Sequence, residues 1–343
     1  LVRSRGLGDV YKRQELRGPV RPRVVISRCI EFDSVRWNAQ MIRSDFVRAL
    51  IPHVDPVPVC PEVEIGLGVP RETLRLVMVG GEARLMQPAT GMDITERMRG
   101  FAERFLGSLV KVDGFILKSK SPSSGLGGAK VYGSLKDDAF IKRGPGIFGG
   151  MVRQRYPHLA LEDEGRLNNS RIREHFLRKL YTLAGFRRMK ASSDVNELIR
   201  FQTENKLQLM TYNRAEGRLL DRIIASQGGR GLQDLLAEYE VHLHRALGRA
   251  PKCTSYINTL MHLMGYFRDR LSAEEKAFFM DLLRRYKEGR APLIAPLDVM
   301  KAWVVGFKED YLARQTLFEP YPDALIDTVS LKACGERDYW KKE

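Results

Sequence analysis

From residue 22 to about 160, short apolar runs alternate with longer amphipathic stretches. Val24, Val25 and Ile26 form a β-branched run ahead of Cys29. Val57-Pro58-Val59-Cys60 is a second, placed towards a strand end by its prolines. Leu74 to Val79 and Val112 to Leu117 are two more. Between them, Met41, Ile42, Phe46, Val47 and Leu50 share one face of a helix predicted over 39–50. Met98, Phe101, Phe105 and Leu109 share a face of another, from Ile94, with Asp93 placed to cap it. Strands alternating with helices predict an α/β domain with a mostly parallel sheet, its loops gathered at the carboxyl edge.

After about residue 165 the period becomes helical almost throughout. The spacing predicts helices over 170–184 and 195–212, then an apolar stripe of Leu232, Leu235, Leu236, Tyr239, Leu243 and Leu247. Tyr256, Leu260, Leu263, Met264 and Phe267 form the next. Ser272 and Glu275 read as a capping box before a helix over 276–287, and Pro296 stands near the start of a last helix over 298–315. The expectation is an all-α helical bundle over 165–318 behind the α/β domain of 22–160, then a polar tail over 319–343. Residues 1–14, LVRSRGLGDVYKRQ, have no period and resemble translated sequencing-adaptor sequence of assembled metagenomes, so they are left out of the fold expectation.

The chain has 343 residues, of which 43% are hydrophobic, enough for two cores and too many for a disordered chain. No apolar stretch is long enough for a membrane span and no secretory leader is visible, which together with four widely separated cysteines suggests a reducing cytoplasm. The net charge of +15 raises the question of a polyanionic partner. Residues 1–14 carry +3 of it, and Arg166 to Lys190 carries +7. Arg171, Arg173 and Arg178 on that helix are candidates for tracking nucleic-acid phosphates; alternatively the helix face is solvated and pairs with acids. No aromatic interleaving or nucleic-acid motif accompanies them.

Three segments that each follow a predicted strand should meet at the carboxyl edge of the sheet. They end in Cys29, in Cys60-Pro61-Glu62, and in Lys118-Ser119-Lys120-Ser121-Pro122-Ser123-Ser124-Gly125. Two cysteines so placed suit a soft metal or an iron–sulfur cluster, or equally serve as small buried apolar residues. Gly125, Gly127 and Gly128 lack the pattern of a nucleotide-binding loop and are expected to let backbone approach closely.

The strings VCPE, GLGVPRE, QPATGMD and ILKSKSPSSG resemble the domain-of-unknown-function 523 family, which includes thiouracil desulfidase. The helical half, with EDEGRLNNSRIREHF ahead of it and INTLMHLMGYF, LSAEEK, APLIAPL and YLARQTLFEPYP within it, resembles the domain-of-unknown-function 1722 family of YbgA-like proteins. The first resemblance implies a 4Fe-4S cluster held by three cysteines, with one iron open to take sulfur from a thiolated pyrimidine or related thioamide. Cys29 and Cys60 match two ligand positions. The third falls in a loop that reads S-P-S-C-G in the family and S-P-S-S-G here, so Ser124 stands where a thiolate is expected. A hydroxyl is a hard, mostly protonated donor, a poor exchange for thiolate. The segment Asp33 to Asn38 also departs from the family pattern.

In that context Glu62 is expected to activate water or move a proton, or else to pair with Arg28 or Arg71. Ser119 and Ser121 are expected to hydrogen-bond a pyrimidine carbonyl, or else to cap turns; Lys118 and Lys120 to hold an anion, or else to be solvated. His262 reads as a core residue, and Gln202, Asn205 and Tyr212 stand where relatives of the helical half carry histidines. The functional expectation is an iron–sulfur-dependent desulfidase acting on a small thiolated substrate, impaired by Ser124. The alternative is a binding module for nucleic acid that has lost its cluster.

Overall fold

The computed structural model describes residues 20–326, so the expectations for residues 1–14, most of the tail and Cys334 lie outside the described part. The described chain divides into two compact units, one over 21–181 with the segment from 321, the other over 182–320. The division falls inside one long helix.

In the first unit, four strands form an all-parallel sheet: β1 (Arg23–Ser27), β2 (Asp55–Val59), β6 (Gly114–Leu117) and β9 (Ala160–Asp163), in the order β2-β1-β6-β9. Both faces are covered, which is why these strands are continuously apolar in sequence. Alternation along β1 sends Val25 to one core, with Phe115, Leu117, Met98, Ala102, Phe148 and Val152, and Val24 and Ile26 to the other, with Phe46, Leu50, Phe176 and Leu180. The first core is covered by α3 (Thr95–Ser108) and α4 (Ile147–Arg155). The second is covered by α1 (Asp45–Leu50) and the first half of α5 (Ser170–Lys190).

The sequence expectation needs correction in two places. Leu74 to Val79 is not a strand of the parallel sheet. It forms β3 (Arg75–Val79) of a separate five-stranded sheet with β4 (Glu82–Gln87), β5 (Met92–Asp93), β7 (Ala129–Tyr132) and β8 (Phe140–Gly144), in the order β5-β4-β3-β7-β8. All its pairings but β3 with β7 are antiparallel. The helix expected over 39–50 begins only at Asp45, because Ser44 caps it and Ile42 is taken up by a parallel bridge to Ile30. Asp93 does hold the start of α3, its carboxylate accepting the Thr95 N–H at 2.9 Å.

The second unit is helical: α6 (Val195–Tyr212), α7 (Arg214–Ala225), α8 (Leu232–Ala246), α9 (Cys253–Met264), α10 (Ala273–Lys287), α11 (Ile294–Gly306) and α12 (Asp310–Ala313). Leu207, Leu260, Leu263, Phe267, Phe279, Leu283, Met300 and Val304 make up one core there. The Ser272–Glu275 capping box forms as expected. The helix expected over 298–315 breaks after Gly306, where Lys308 takes a positive φ of 56°. No helix among the described residues is long and apolar enough to cross a membrane.

Candidate functional site

Because the four strands of the first sheet are parallel, their carboxyl ends share one edge. Cys29 follows β1; Cys60 follows β2 and caps the short helix α2 (Pro61–Glu64); Lys118 to Ser124 follow β6; Glu164 follows β9. Three of these four segments were legible in sequence. The fourth was hidden inside the string EDEGRLNN, read only as part of the resemblance of the helical half.

Cys29 and Cys60 are both free and buried, 8% and 7% exposed. Burial first, then the nearby Cys60, Glu62 and Glu164, push the Cys29 thiol up to about 12, with Lys118 opposing. Burial also raises the Cys60 thiol, against N–H groups of Val63 and Glu62 and the charge of Arg71. Cys29 therefore feels Cys60 and two carboxylates, and Cys60 feels Glu62 and Arg71. The carboxylates are matched by Arg71 and Lys118, so ionising both thiols would call for further positive charge beside them.

Glu62 is shared between two partners. Arg71 donates through Nε at 2.9 Å and through Nη2 to Oε2, while the Ser123 hydroxyl donates to Oε1. Ser123 Oγ in turn lies 2.9 Å from Ser121 Oγ. A chain Ser121–Ser123–Glu62 thus runs from the serine loop to the helix behind Cys60. The Arg71 side chain is 3% exposed, also donates to the carbonyls of Val35 and Gly68 at 2.9 Å, and lies 4.0 Å from the Cys60 sulfur. Of the two pairings considered for Glu62, the one with Arg71 forms; Arg28 pairs with Glu64 instead, at 3.0 Å. Sequence reasoning missed Ser123 and the reach of Arg71, although both lie in the strings SPSSG and GLGVPRE.

Ser119 points a different way. Its N–H and hydroxyl both donate to Glu164, at 2.7 and 2.9 Å, and Lys118 Nζ donates to the same carboxylate. Lys118 Nζ also donates to Ser119 O and Oγ, so the ammonium serves local bonding. Lys120 is exposed with a positive φ of 55°.

The serine loop is fixed by the start of α4. Ile147 N–H donates to Pro122 O, Phe148 N–H to Ser123 O at 2.9 Å, and Gly146 N–H to Gly125 O at 2.8 Å. A Cβ on Gly149 would meet Gly125 O at 2.2 Å, and one on Gly125 would meet Ser121 O at 2.6 Å. The close approach that Gly125 permits is therefore between the loop, its own turn and α4. Ser124 is buried; its N–H donates to Ser121 Oγ at 3.1 Å, and its hydroxyl forms no hydrogen bond among the described residues. Among those residues no three of His, Cys, Asp and Glu are arranged to hold a metal ion. Of the candidate donors on this edge, the two buried thiols have the chemistry that an iron–sulfur group takes, and the Ser124 hydroxyl is a hard donor that replaces a thiolate poorly.

The arginines of α5 do not form a phosphate-tracking face. Arg173 is buried, lies 5.6 Å from the Phe46 ring and donates to Leu167 O. Arg178 is 2% exposed and pairs with Glu174. Arg171 alone of the three is exposed. In the helical unit, Gln202 bonds Asp221 and Tyr239, and Asn205 bonds Phe201 O and Thr316, so these amides are satisfied structural groups. His262 is exposed and edge-on to Tyr266, not the core residue expected.

Comparison with known proteins divides the chain in the same sense. Residues 24–164 match the family model described as 2-thiouracil desulfurase, and residues 206–322 match that of a protein of unknown function, DUF1722. The chain is 25% identical over 158 residues to the uncharacterized protein YbgA of Escherichia coli (strain K12), covering 46% of this chain and 94% of that protein. It is 29% identical over 136 residues to the uncharacterized protein YbbK of Bacillus subtilis (strain 168), covering 35% of this chain and 89% of that protein. Among solved structures, the [4Fe-4S]-dependent thiouracil desulfidase TudS is 25% identical, with a TM-score of 0.35 over 43% of this chain and 94% of that one.

Proposed function

The chain joins a 2-thiouracil desulfurase domain to a DUF1722 domain, and on that premise we propose that the carboxyl edge of its parallel sheet removes sulfur from a thiolated pyrimidine or a related thioamide. The overall change replaces a C=S bond by C=O: one water enters and one hydrogen sulfide leaves. Cys29 and Cys60, with the Ser124 hydroxyl, are the residues that would hold a 4Fe-4S cluster. When bound, that group supplies an open iron with affinity for the substrate sulfur.

The single observation that carries this reading is the chain Ser121–Ser123–Glu62 beside Cys60. Attack of water on the thiocarbonyl carbon requires that a proton be taken from the water. Ser121 Oγ is the outer end of the chain; it accepts that proton while its own passes to Ser123 Oγ, and the Ser123 proton passes to Glu62 Oε1. Arg71 keeps the carboxylate turned to the loop by occupying Oε2. Returned along the same chain, that proton reaches the departing sulfur, and the second proton of the water follows as the new C–OH becomes C=O, so that sulfur leaves as hydrogen sulfide. Ser119, tied to Glu164, supports the loop in this scheme and does not contact substrate. Burial of the two thiols keeps bulk water from competing for the bound sulfur.

The hard oxygen of Ser124 makes the cluster labile in this reading and sets its activity below that of a three-thiolate site. The test is anaerobic purification of the full chain with iron and acid-labile sulfide assays, followed by incubation with 2-thiouracil. Uracil and sulfide released in equal amounts support the reading. Iron-loaded protein that releases neither contradicts it.

A further inference from the structure

We propose that Glu164 is a positioning residue for the serine loop, acting from the opposite side to Glu62; this inference deepens the proposed site and rests on that reading for its chemical consequence. Glu164 is 8% exposed, and a carboxylate so placed needs donors. Among the described residues it has three, all from Lys118 and Ser119, the first two residues beyond β6. The Lys118 N–H goes to Ser27 Oγ at 3.0 Å, which ties the same point to β1.

Four residues further on, the loop is held again, this time by Glu62 through Ser123. The stretch from Ser119 to Ser123 is thus suspended between two carboxylates, buried Glu164 and half-buried Glu62. Glu164 directly follows β9 at one edge of the sheet, and Glu62 lies behind β2 at the opposite edge. Between the anchors the backbone passes through the positive φ of Lys120, a conformation that a lysine adopts at a cost and that the two anchors over-determine. The positions this sets are those of Ser121, the outer end of the proton chain, and Ser124, the third donor. Glu164 also contributes to the field at Cys29, so the same carboxylate stands near both donor segments.

The experiment is amide hydrogen exchange on the full chain, wild type against Glu164→Ala and Glu164→Gln, with Ser119→Ala as a milder probe of the same anchor. In Glu164→Ala the amides from Ser119 to Gly125 exchange about tenfold faster, while those of Val24–Ile26 and Phe115–Leu117 are unchanged. Glu164→Gln keeps an acceptor for the Ser119 N–H and falls between the two. Unchanged exchange in the loop overturns the proposal, and so does faster exchange throughout residues 21–181, which marks a general loss of stability. Ser119→Ala must show the same localised pattern to a lesser degree, and this variant decides the matter if Glu164→Ala does not fold.

Iron retention supplies the second readout. In a Ser124→Cys background reconstituted with iron and sulfide, Glu164→Ala lowers bound iron and its visible absorbance, and Glu164→Gln restores most of both. Equal iron in all three overturns the positioning role. If Ser124→Cys itself binds no iron, the cluster reading fails, and the exchange pattern still decides the role of Glu164.

Discussion

The Ser123 hydroxyl donates to Glu62 across 61 positions of sequence, joining the loop after β6 to the helix that opens at Cys60. A carboxylate that accepts from Ser123 on one oxygen and from Arg71 on the other has its direction fixed. Direction is what a proton-handling group beside a reacting carbon requires.

Glu62→Gln lowers turnover of 2-thiouracil by about 10²–10⁴-fold, the usual worth of a general acid–base group, with KM changed far less. Ser123→Ala lowers it too. Because the two side chains act in one chain, the double variant is no worse than Glu62→Gln alone. Steady-state kinetics on all three checks this; additive losses would place Ser123 outside the chain.

Ser124→Cys supplies the soft donor that the loop lacks. Bound iron per chain rises after anaerobic reconstitution, and bleaching of the visible absorbance in air slows. Iron analysis and the decay of absorbance measure both. A variant that retains no more iron than wild type would remove Ser124 from the donor set.

Gly149→Ala drives a methyl into the carbonyl of Gly125. Backbone must move on one side or the other, so the expected cost is about 1–3 kcal/mol or more. The loop carrying Ser121, Ser123 and Ser124 moves with it. Denaturant unfolding reads the cost, and loss of turnover beyond the loss of folded protein reads the displacement.

Arg178→Ala removes a buried guanidinium from its pair with the half-exposed Glu174, which keeps the Tyr321 hydroxyl. The expected loss is about 1–3 kcal/mol in unfolding. Nucleic-acid binding, measured by salt titration, is not expected to track this variant, since the guanidinium is inside the unit.

Asp93 gives a pH dependence with a definite sign. Burial raises its pKa, but bonds from the side chain and N–H of Thr95 and the charge and bond of Arg84 outweigh it, so the folded value lies below the ordinary 3.8. A folded value below the unfolded one means stability that is present above pH 3.8 and lost as pH falls through the folded value. The stability difference between wild type and Asp93→Asn is therefore steady at neutral pH and shrinks on acidification below 3.8. Unfolding titrations from pH 7 to pH 3 check it.

The parts of the fold legible in sequence were those where burial is two-sided or the caps are local. β1 and β6 read as unbroken apolar runs because helices cover both faces, and the Ser272–Glu275 box marks a helix start with side chains three residues apart. The second sheet was not legible beyond β3: Glu82–Gln87 buries only Leu85 and Gln87, and Phe140–Gly144 buries nothing, so neither shows a full period. Cys29 and Cys60 could be singled out because they lie at strand ends, and Glu62 and Ser124 through the family resemblance of the strings that carry them. Arg71 was named only as one of two partners for Glu62, and Glu164 not at all, because their further contacts reach across to other segments and no local pattern records where a side chain reaches. The basic run Arg166 to Lys190 misled for the same reason: its charge is visible in sequence, while the burial of Arg173 and Arg178 is a property of packing.

The measurement that bears most directly on the account is the fate of 2-thiouracil with the anaerobically reconstituted full chain, followed by chromatography for uracil and by a sulfide assay. Uracil and sulfide appear in equal amounts with wild type, faster with Ser124→Cys, and hardly at all with Glu62→Gln. Iron-loaded wild type and Ser124→Cys that both leave thiouracil intact would contradict a desulfidase at this site.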